Sequence, residues 1–541
     1  MEDSGGGAAP DGGDPSSEPP RVDEERPEII VISEHGDVVL DATFQNSKAT
    51  IRSARKAAAA QTQTQPRHLN RGEPQPQPPP PPRARVRLAF RVDLAVLKRQ
   101  SKYFDKLLGD AHFKEANDVS AAFAALSARG VRPRDADARD LPWIRIHDDD
   151  EATTSYAYRE TAFADLLRIL HGLDAQTGTG TGQATQQQIT MSYVTTLAVL
   201  ADRFDCAAAV SRYVAAGLKF KWPVTSRRPL RDETAGSGSF GSGGGMTRAN
   251  ENVLRQKILV SWLLNQPARF QAATKELIMN GSCQWSSFGE HEDEETTSAT
   301  WWYLQDGLEQ ELQYRRNCIL NTLASVPRHF LALHTSARSG GGPARQCKLG
   351  YDSSVACDSY QLGEMFKFLT NKGLLSLVDF SPASLDAVAD AALLLPVDHV
   401  LAALRQCPAY QIDKNHTNCG LRTRMLPILD FLQGLLSANS VPLSRAAWKG
   451  QRAAHAWMPA GDGGVVAAGK MGVNIGGEKE GEDQRPFRFT RSLAGDQRFR
   501  FENAMGADQL ARDVFTASSW DWTAEDQGAD HISTTPKWSF R

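Results

Sequence analysis

Alternation of apolar and polar residues predicts four short strands in the first third of the chain. Two β-branched runs, Ile29–Ile32 and Val38–Leu40, flank a turn-like segment and favour strands. Val86–Val92 alternates with a period of two residues, as a half-buried strand does. Trp143–Ile146 is a further short strand. We therefore expect a sheet in this part of the protein.

Helical periods dominate the remainder of the sequence. The spacing of Phe163, Leu166 and Leu170 is that of an amphipathic helix, and Gly172 is a suitable cap for its end. Tyr193 begins a second helical period, and a short helix over 207–216 follows it. Ser120 to Asp140 lacks a clear stripe, which predicts a weak helix running into a loop.

Beyond residue 250 the pattern is mostly helical, with three features that set expectations. A stripe over 253–263 is predicted to stop at Pro267, and Ser381-Pro382 is a suitable helix start. Phe487-Arg488-Phe489 and Phe499-Arg500-Phe501 flank a turn-like segment, which predicts a hairpin with its aromatic residues on one face. These aromatics either pack together or stack on the bases of a single-stranded nucleic acid.

Low-complexity segments divide these patterns into regions. The tail and the linker hold too few apolar residues to offset the entropy of ordering them. The predicted regions are a disordered acidic tail (1–27), an N-terminal domain (28–217) with an Ala/Gln/Pro-rich insertion (57–85) and a low-complexity loop (174–188), a Gly/Ser linker (225–249), a helical domain (250–440) and an irregular region (441–541) with a hairpin near 485–503.

Composition narrows the class of protein. The 541 residues are 41% hydrophobic and 23% charged, which excludes wholesale disorder, and a net charge of -3 provides no global basic field for nucleic acid or membrane. No apolar run reaches the roughly 18 residues of a membrane span, and the N-terminus does not resemble a signal peptide. Seven scattered cysteines fit a reducing compartment, so we expect a cytoplasmic or nuclear protein without a membrane partner.

The motifs of common enzymes are missing or lack their context. Gly236 to Gly241 matches G-x-G-x-x-G, but neither a strand nor a helix flanks it, so we interpret it as linker. The sequence contains neither a P-loop nor a G-x-S-x-G nucleophile motif. We predict that the protein is not an enzyme, and we assign it no catalytic residue and no cofactor.

Four side chains could bind a metal ion. Cys347, Cys357, His416 and Cys419 are zinc-type ligands, and His416 and Cys419 are close enough to bind from one turn. The spacing of Cys347 and Cys357 differs from the usual short zinc motif, and Cys407 is a rival ligand. Buried free thiols with a helix-capping histidine are the alternative, so both interpretations stay open and no metal ligand is assigned.

One segment has a more specific pattern. Residues 90–104 read FRVDLAVLKRQSKYF, which resembles without a gap the pattern F-x-A-H-x-x-x-L-x-x-x-S-x-Y-F of the BTB/POZ family. The resemblance covers about 28–217 in order, and its style is similar to BTB proteins of filamentous fungi. The matching signature residues are Phe90, Leu97, Ser101, Tyr103 and Phe104. We expect the apolar members of this set to be buried together with Val92, Leu107 and Leu108.

The resemblance implies a fold and candidate sites. It implies an α+β BTB/POZ-like N-terminal domain with an insertion, followed by a mainly α-helical C-terminal region. Asp37 would lie at the dimer groove, although it could equally be an acid at the start of a strand. Phe113 and Glu115 resemble the motif with which BTB adaptors contact a cullin scaffold. Asp93 replaces the family's histidine, and a buried acid there needs a partner or exposure to water.

We therefore expect a protein-interaction module. The resemblance implies homodimerisation through the BTB surface and adaptor service to a cullin-type ubiquitin ligase, while the C-terminal half binds an unknown protein partner. The alternative is a nuclear regulator that dimerises through the same domain and contacts nucleic acid through its C-terminal half, with the Phe-Arg-Phe hairpin and a possible zinc site. Nucleic acid is a partner only under that alternative.

Overall fold

The computed structural model divides the protein into two compact units. Unit 1 comprises the described residues of 1–47 and 83–149, and unit 2 those of 48–82 and 150–541. The structure describes residues 27–64, 81–148, 156–175, 189–218, 220–225, 246–285, 299, 301–335, 345–347, 349, 352–375, 395–416, 419–459, 486–495 and 506–523. Several predicted features lie wholly or mostly outside these residues: the acidic tail, the Gln/Pro-rich part of the insertion (65–80), the low-complexity loop, the Gly/Ser linker, Ser381-Pro382 and the second Phe-Arg-Phe motif.

The described elements make the chain an α+β protein, as predicted at the level of fold class. In chain order they are β1 (Ile29–Val31), β2 (Val38–Gln45), α1 (Lys48–Thr64), β3 (Arg85–Val92), α2 (Leu94–Gln100), α3 (Lys102–Gly109), α4 (Lys114–Ala128), β4 (Trp143–Asp148), α5 (Arg159–Leu170), α6 (Met191–Arg203), α7 (Ala207–Ala216), α8 (Arg248–Leu263), α9 (Pro267–Asn280), α10 (Leu308–Thr335), α11 (Ser354–Asn371), α12 (Val397–Arg405), α13 (Leu421–Leu435), α14 (Arg445–Gly450), α15 (Arg452–His455), β5 (Phe487–Arg488), α16 (Arg491–Gly495), α17 (Ala507–Phe515) and β6 (Trp520–Asp521).

Unit 1 is built on a four-stranded mixed sheet with the order β1-β3-β2-β4. β2 is antiparallel to β3, with Leu40 opposite Phe90, and parallel to β4, with Leu40 opposite Ile144. β2 is central and almost wholly buried, which explains its apolar sequence. Its one carboxylate, Asp41, is buried and accepts two hydrogen bonds of 2.9 and 2.8 Å from Arg87 on β3, so the charge inside the sheet is paired.

A close backbone approach fixes the turn before β2. A Cβ atom at Gly36 would lie 2.8 Å from the backbone nitrogen and oxygen of Val92. The Arg91 guanidinium also donates a 2.8 Å hydrogen bond to the Gly36 carbonyl. Only glycine leaves room for β3 at this point, and the turn therefore places Asp37 beside the start of α2.

Unit 2 is a helical assembly. Its first helices are tied by the Tyr193 hydroxyl on α6, which donates a 2.8 Å hydrogen bond to Asp165 on α5. Thr195 on α6 donates a 3.4 Å hydrogen bond to Gln256 on α8. The predicted N-terminal domain (28–217) includes the helices between 159 and 216, whereas contacts of this kind place them in unit 2. The boundary at 225–249 stays a prediction, because the linker lies mostly outside the described residues.

The core of the later part of unit 2 is contributed by helices α8 to α13 and by the segments near the C-terminus. The long helix α10 contributes two fully buried side chains, Ile319 and Phe330, to this core. Phe489 and Trp522 join this core from residues that the sequence analysis considered irregular. None of the helices within the described residues combines the length and the apolar content that a membrane span requires.

Four expectations about local structure need correction. Pro267 separates two helices as predicted, but it also begins the second, α9, because proline is tolerated in a first turn. The alanine run of the insertion belongs to helix α1, and the weak helix expected after Ser120 begins earlier, at Lys114. The expected hairpin is also wrong in its described half: α16 occupies the turn, and Phe487 pairs in parallel with Trp520 of β6.

Candidate functional site

Two carboxylates hold the start of helix α2. Asp93 is its N-cap and accepts a 3.0 Å hydrogen bond from the Val96 amide, while Asp37 accepts a 2.7 Å hydrogen bond from the Leu94 amide. Burial raises the pKa of Asp37, the Leu94 amide opposes that rise, and the nearby charge of Asp93 adds to it. Asp93 also lies 3.5 Å from the Arg134 guanidinium. The acid at the family's histidine position therefore has its partners.

The family-like signature acts mainly through packing and helix capping. Phe90, Leu97 and Phe104 are fully buried. Ser101 joins α2 to α3, because its amide donates to the Leu97 carbonyl and its hydroxyl accepts a 3.1 Å hydrogen bond from the Phe104 amide. Tyr103 is 39% exposed, so the expectation that it is buried is wrong. It lies on the outer side of α3, where its ring contacts the edge of Phe104.

Phe113 stands at an exposed turn between α3 and α4. The Asp110 carboxylate accepts a 3.0 Å hydrogen bond from the His112 amide, and the Asp110 carbonyl accepts one from the Phe113 amide. The His112 amide and imidazole hold the pKa of Asp110 below its ordinary value. Phe113 is 42% exposed, and Glu115 lies half-buried in the first turn of α4. The turn therefore presents an aromatic side chain and an acid on one short segment.

The four predicted metal-ligand candidates come together in unit 2. Cys357, in the second turn of α11, contributes one thiol, and Cys347 precedes that helix. His416 and Cys419 precede α13. The ligand atoms of Cys347, Cys357 and His416 lie within 4.8 Å of one another, and all three residues are buried. Cys419 is half-buried, with its sulfur 3.8 Å from that of Cys347. We call these four residues the Cys3His cluster.

Carboxylates orient the residues of the cluster. Asp358 accepts hydrogen bonds of 2.9 and 2.7 Å from the amides of Gln346 and Cys347. Asp413 accepts a hydrogen bond of 2.9 Å from Nδ1 of His416. Neither acid was predicted from the sequence, although Asp358 directly follows Cys357 and Asp413 is three residues before His416. Their proximity to candidate ligands in the sequence was the available signal.

The electrostatics of the three thiols are coupled. Burial, together with the charges of Cys347 and Cys419, raises the pKa of Cys357 to about 12. Burial also opposes ionisation of Cys347, but hydrogen bonds from Ser354 and from the Leu349 amide hold the pKa of that thiol below its ordinary value. Without a cation, these sulfurs cannot all be thiolates at neutral pH.

Cys407 is not part of this arrangement. Its sulfur contacts Met365 Sδ at 4.0 Å in the apolar core of unit 2, and its side chain is 1% exposed. Burial raises the pKa of its thiol to about 11. The structure thus separates Cys407, as a buried free thiol, from the other candidate ligands.

A buried ionic network was also missed by the sequence analysis. The guanidinium of Arg255 is fully buried and contacts the carboxylates of Glu251 and Glu309 at 2.8 and 2.7 Å. Burial opposes the charge of Arg255, but the two glutamates raise its pKa above the ordinary value. Glu251 and Arg255 are four residues apart on α8, a spacing that indicates an ion pair from the sequence alone. Glu309 is 54 residues from Arg255, so the sequence does not indicate its contact with the guanidinium. Since the network is closed to water, we interpret it as structural.

The described Phe-Arg-Phe motif packs inside unit 2. Phe487 and Phe489 contact the ring of Phe431 with centroid distances of 6.4 and 5.5 Å. Both rings also contact Trp522, and Phe489 is 5% exposed. Packing, rather than stacking on bases, is the role that these two rings have.

Comparison of the chain with protein-family models, with curated proteins and with solved structures finds no match.

Proposed function

We propose that this protein is a protein-interaction module with a BTB/POZ-like domain over 28–217, of which unit 1 contains the four-stranded sheet and helices α2 to α4. The order of β2, β3, α2, α3 and β4 supports this, as does the capping role of Ser101 between two helices. Phe90, Leu97 and Phe104 are buried, which is consistent with the packing role expected of these signature residues. The proposal includes homodimerisation, for which Asp37 is the predicted groove residue.

The exposed Phe113 carries the proposal of a specific partner. The Phe113 ring is 42% exposed and so is accessible to a partner, and the Asp110 turn restrains its backbone before binding. Less ordering entropy is then lost on association. Glu115 adds one directional polar contact. We propose that this segment contacts a cullin-type scaffold, while unit 2 holds a further protein partner for ubiquitination.

Affinity purification of the full chain tests this proposal. We expect the wild type to recover a cullin scaffold and its own second copy, and the double variant Phe113→Ala/Glu115→Ala to lose the cullin while keeping self-association. The matched control is Phe366→Ala/Glu364→Ala on α11, where the phenylalanine is 43% exposed and the glutamate half-buried. If the wild type recovers no cullin, or if both variants lose it equally, the adaptor proposal fails.

The nucleic-acid alternative receives no comparable support. It rests on the Phe-Arg-Phe hairpin and on a possible zinc site, and the described pair of rings packs against Phe431 and Trp522. A zinc site with a structural role does not by itself indicate nucleic acid. We therefore do not propose nucleic acid as a partner.

A further inference from the structure

We propose a structural zinc site in unit 2, formed by the Cys3His cluster of Cys347, Cys357, His416 and Cys419. This inference is independent of the proposed partner of Phe113, because it rests on the packing of residues within unit 2 alone. Three thiols and one imidazole form a common ligand set of structural zinc. None of the four is needed for the interaction proposed above.

The spacing of the sulfur atoms is that of ligands around one ion. Tetrahedral zinc with Zn–S bonds of about 2.3 Å holds its sulfur ligands about 3.8 Å apart. Cys347 Sγ and Cys419 Sγ are 3.8 Å apart. The ligand atoms of Cys357 and His416 lie within 4.8 Å of the Cys347 sulfur and of one another, so all four side chains surround one small volume.

The imidazole of His416 is oriented as a zinc ligand would be. Its Nδ1 lies 2.9 Å from the Asp413 carboxylate, an arrangement that fixes the tautomer and the orientation of the ring. That other nitrogen, Nε2, is 3.3 Å from the Ser353 hydroxyl, at the start of the helix that carries Cys357. Nε2 is thus on the side of the thiols, and it is the atom that we assign to the ion.

The alternatives explain less. A disulfide needs a sulfur–sulfur distance of about 2.05 Å, well below the 3.8 Å between Cys347 and Cys419. Soft thiolates exclude calcium and magnesium as the preferred ions. Three buried free thiols would be a sufficient account if they were dispersed, as Cys407 is, but these three lie together beside an oriented histidine.

The ion would connect two distant segments of unit 2. Cys347 and Cys357 lie at the entry to α11, while His416 and Cys419 lie at the entry to α13. Cys347 and Cys419 are 72 residues apart in the sequence, and closing so long a loop restricts the unfolded chain strongly. Four protein ligands leave no open position for substrate, so the role is structural rather than catalytic.

Metal analysis of the full-length protein tests the site. Protein purified under reducing conditions without chelator should contain about one zinc ion per chain. The variant Cys357→Ser should lose most of this zinc, whereas Cys407→Ser, the buried cysteine outside the cluster, should retain it. The proposal is overturned if the wild type takes up no zinc when it is supplied, if iron or copper is found instead, or if both variants lose zinc equally.

A spectroscopic test does not depend on variants that lose a ligand. Wild-type protein reconstituted with Co²⁺ should show the visible bands of a tetrahedral ion and a sulfur-to-cobalt charge-transfer band. His416→Cys keeps four ligands and adds a fourth thiolate, so its charge-transfer band should increase by about one third if each thiolate contributes equally. An unchanged band, or a Cys347–Cys419 disulfide in the wild type, would contradict the assignment.

Discussion

The buried network around Arg255 predicts a large loss of stability when one carboxylate becomes an amide. In Glu309→Gln the side-chain shape is kept, but one oxygen is replaced by a donor. Oε1 of Glu309 accepts from Arg255 at 2.9 Å and from Trp285 at 2.6 Å. Oε2 accepts from Arg255 at 2.7 Å and from the Leu304 amide at 3.2 Å. In either orientation the new amide group therefore faces two donors.

The size of the effect follows from this geometry. Removing one partner from a buried ion pair costs about 3–5 kcal/mol. Glu251 still holds Arg255 through a 2.8 Å contact, so we expect the lower end, about 3 kcal/mol, in the free energy of unfolding. The matched control is Glu364→Gln, which breaks a pair with Lys367 whose side chain is 70% exposed. Solvent screens that pair, so its loss should not be measurable.

Urea unfolding followed by far-UV circular dichroism measures both variants. A decrease of about 3 kcal/mol moves the midpoint of unit 2 by about 1 M for a slope near 3 kcal/mol/M. If Glu309→Gln unfolds at the same urea concentration as Glu364→Gln, the network does not stabilise unit 2 and its description as a structural element is refuted.

Three further changes test unit 1, all by urea or thermal unfolding. Ser101→Ala removes the acceptor for the Phe104 amide and should cost about 1 kcal/mol, whereas Ser120→Ala, on the exposed face of α4, should cost clearly less; equal losses would contradict the capping role. Gly36→Ala places a Cβ 2.8 Å from the Val92 backbone and should cost about 1–3 kcal/mol; a neutral result would show that the turn can open. Because its folded pKa is raised, Asp37 binds protons more tightly in the folded state, so its contribution to stability falls as the pH rises above 3.8 towards that folded pKa. Asp37→Asn does not titrate and keeps an acceptor for the Leu94 amide, so its stability relative to wild type should increase as the pH rises through this range. A decrease relative to wild type would contradict the raised pKa of Asp37.

The sheet could be predicted because its signal is local. The alternation in β3 and the β-branched runs of β1 and β2 depend only on neighbouring residues, and the structure confirms these strands. Proline was less informative. Pro327 and Pro427 lie inside α10 and α13, where packing of long helices outweighs the cost of a missing hydrogen bond.

Long-range contacts account for the rest. The four residues of the Cys3His cluster could be predicted as candidate ligands, with Cys407 as a rival, but only the fold brings Cys347 to Cys419 and takes Cys407 into the apolar core. Similarly, Glu309 meets Arg255 across 54 residues. The hairpin was mispredicted because Phe487 pairs with a strand that is more distant in the sequence than its expected partner.

Direct binding between purified proteins tests the central claim about Phe113. The full-length chain and its Phe113→Ala variant would be titrated against an immobilised cullin scaffold, with Phe366→Ala as the control for an exposed phenylalanine. Loss of an aromatic anchor should cost about 2 kcal/mol, which raises the Kd about 30-fold, while the control keeps the wild-type Kd. If the wild type does not bind, or if the Kd of Phe113→Ala equals that of the wild type, the cullin-contact proposal is contradicted.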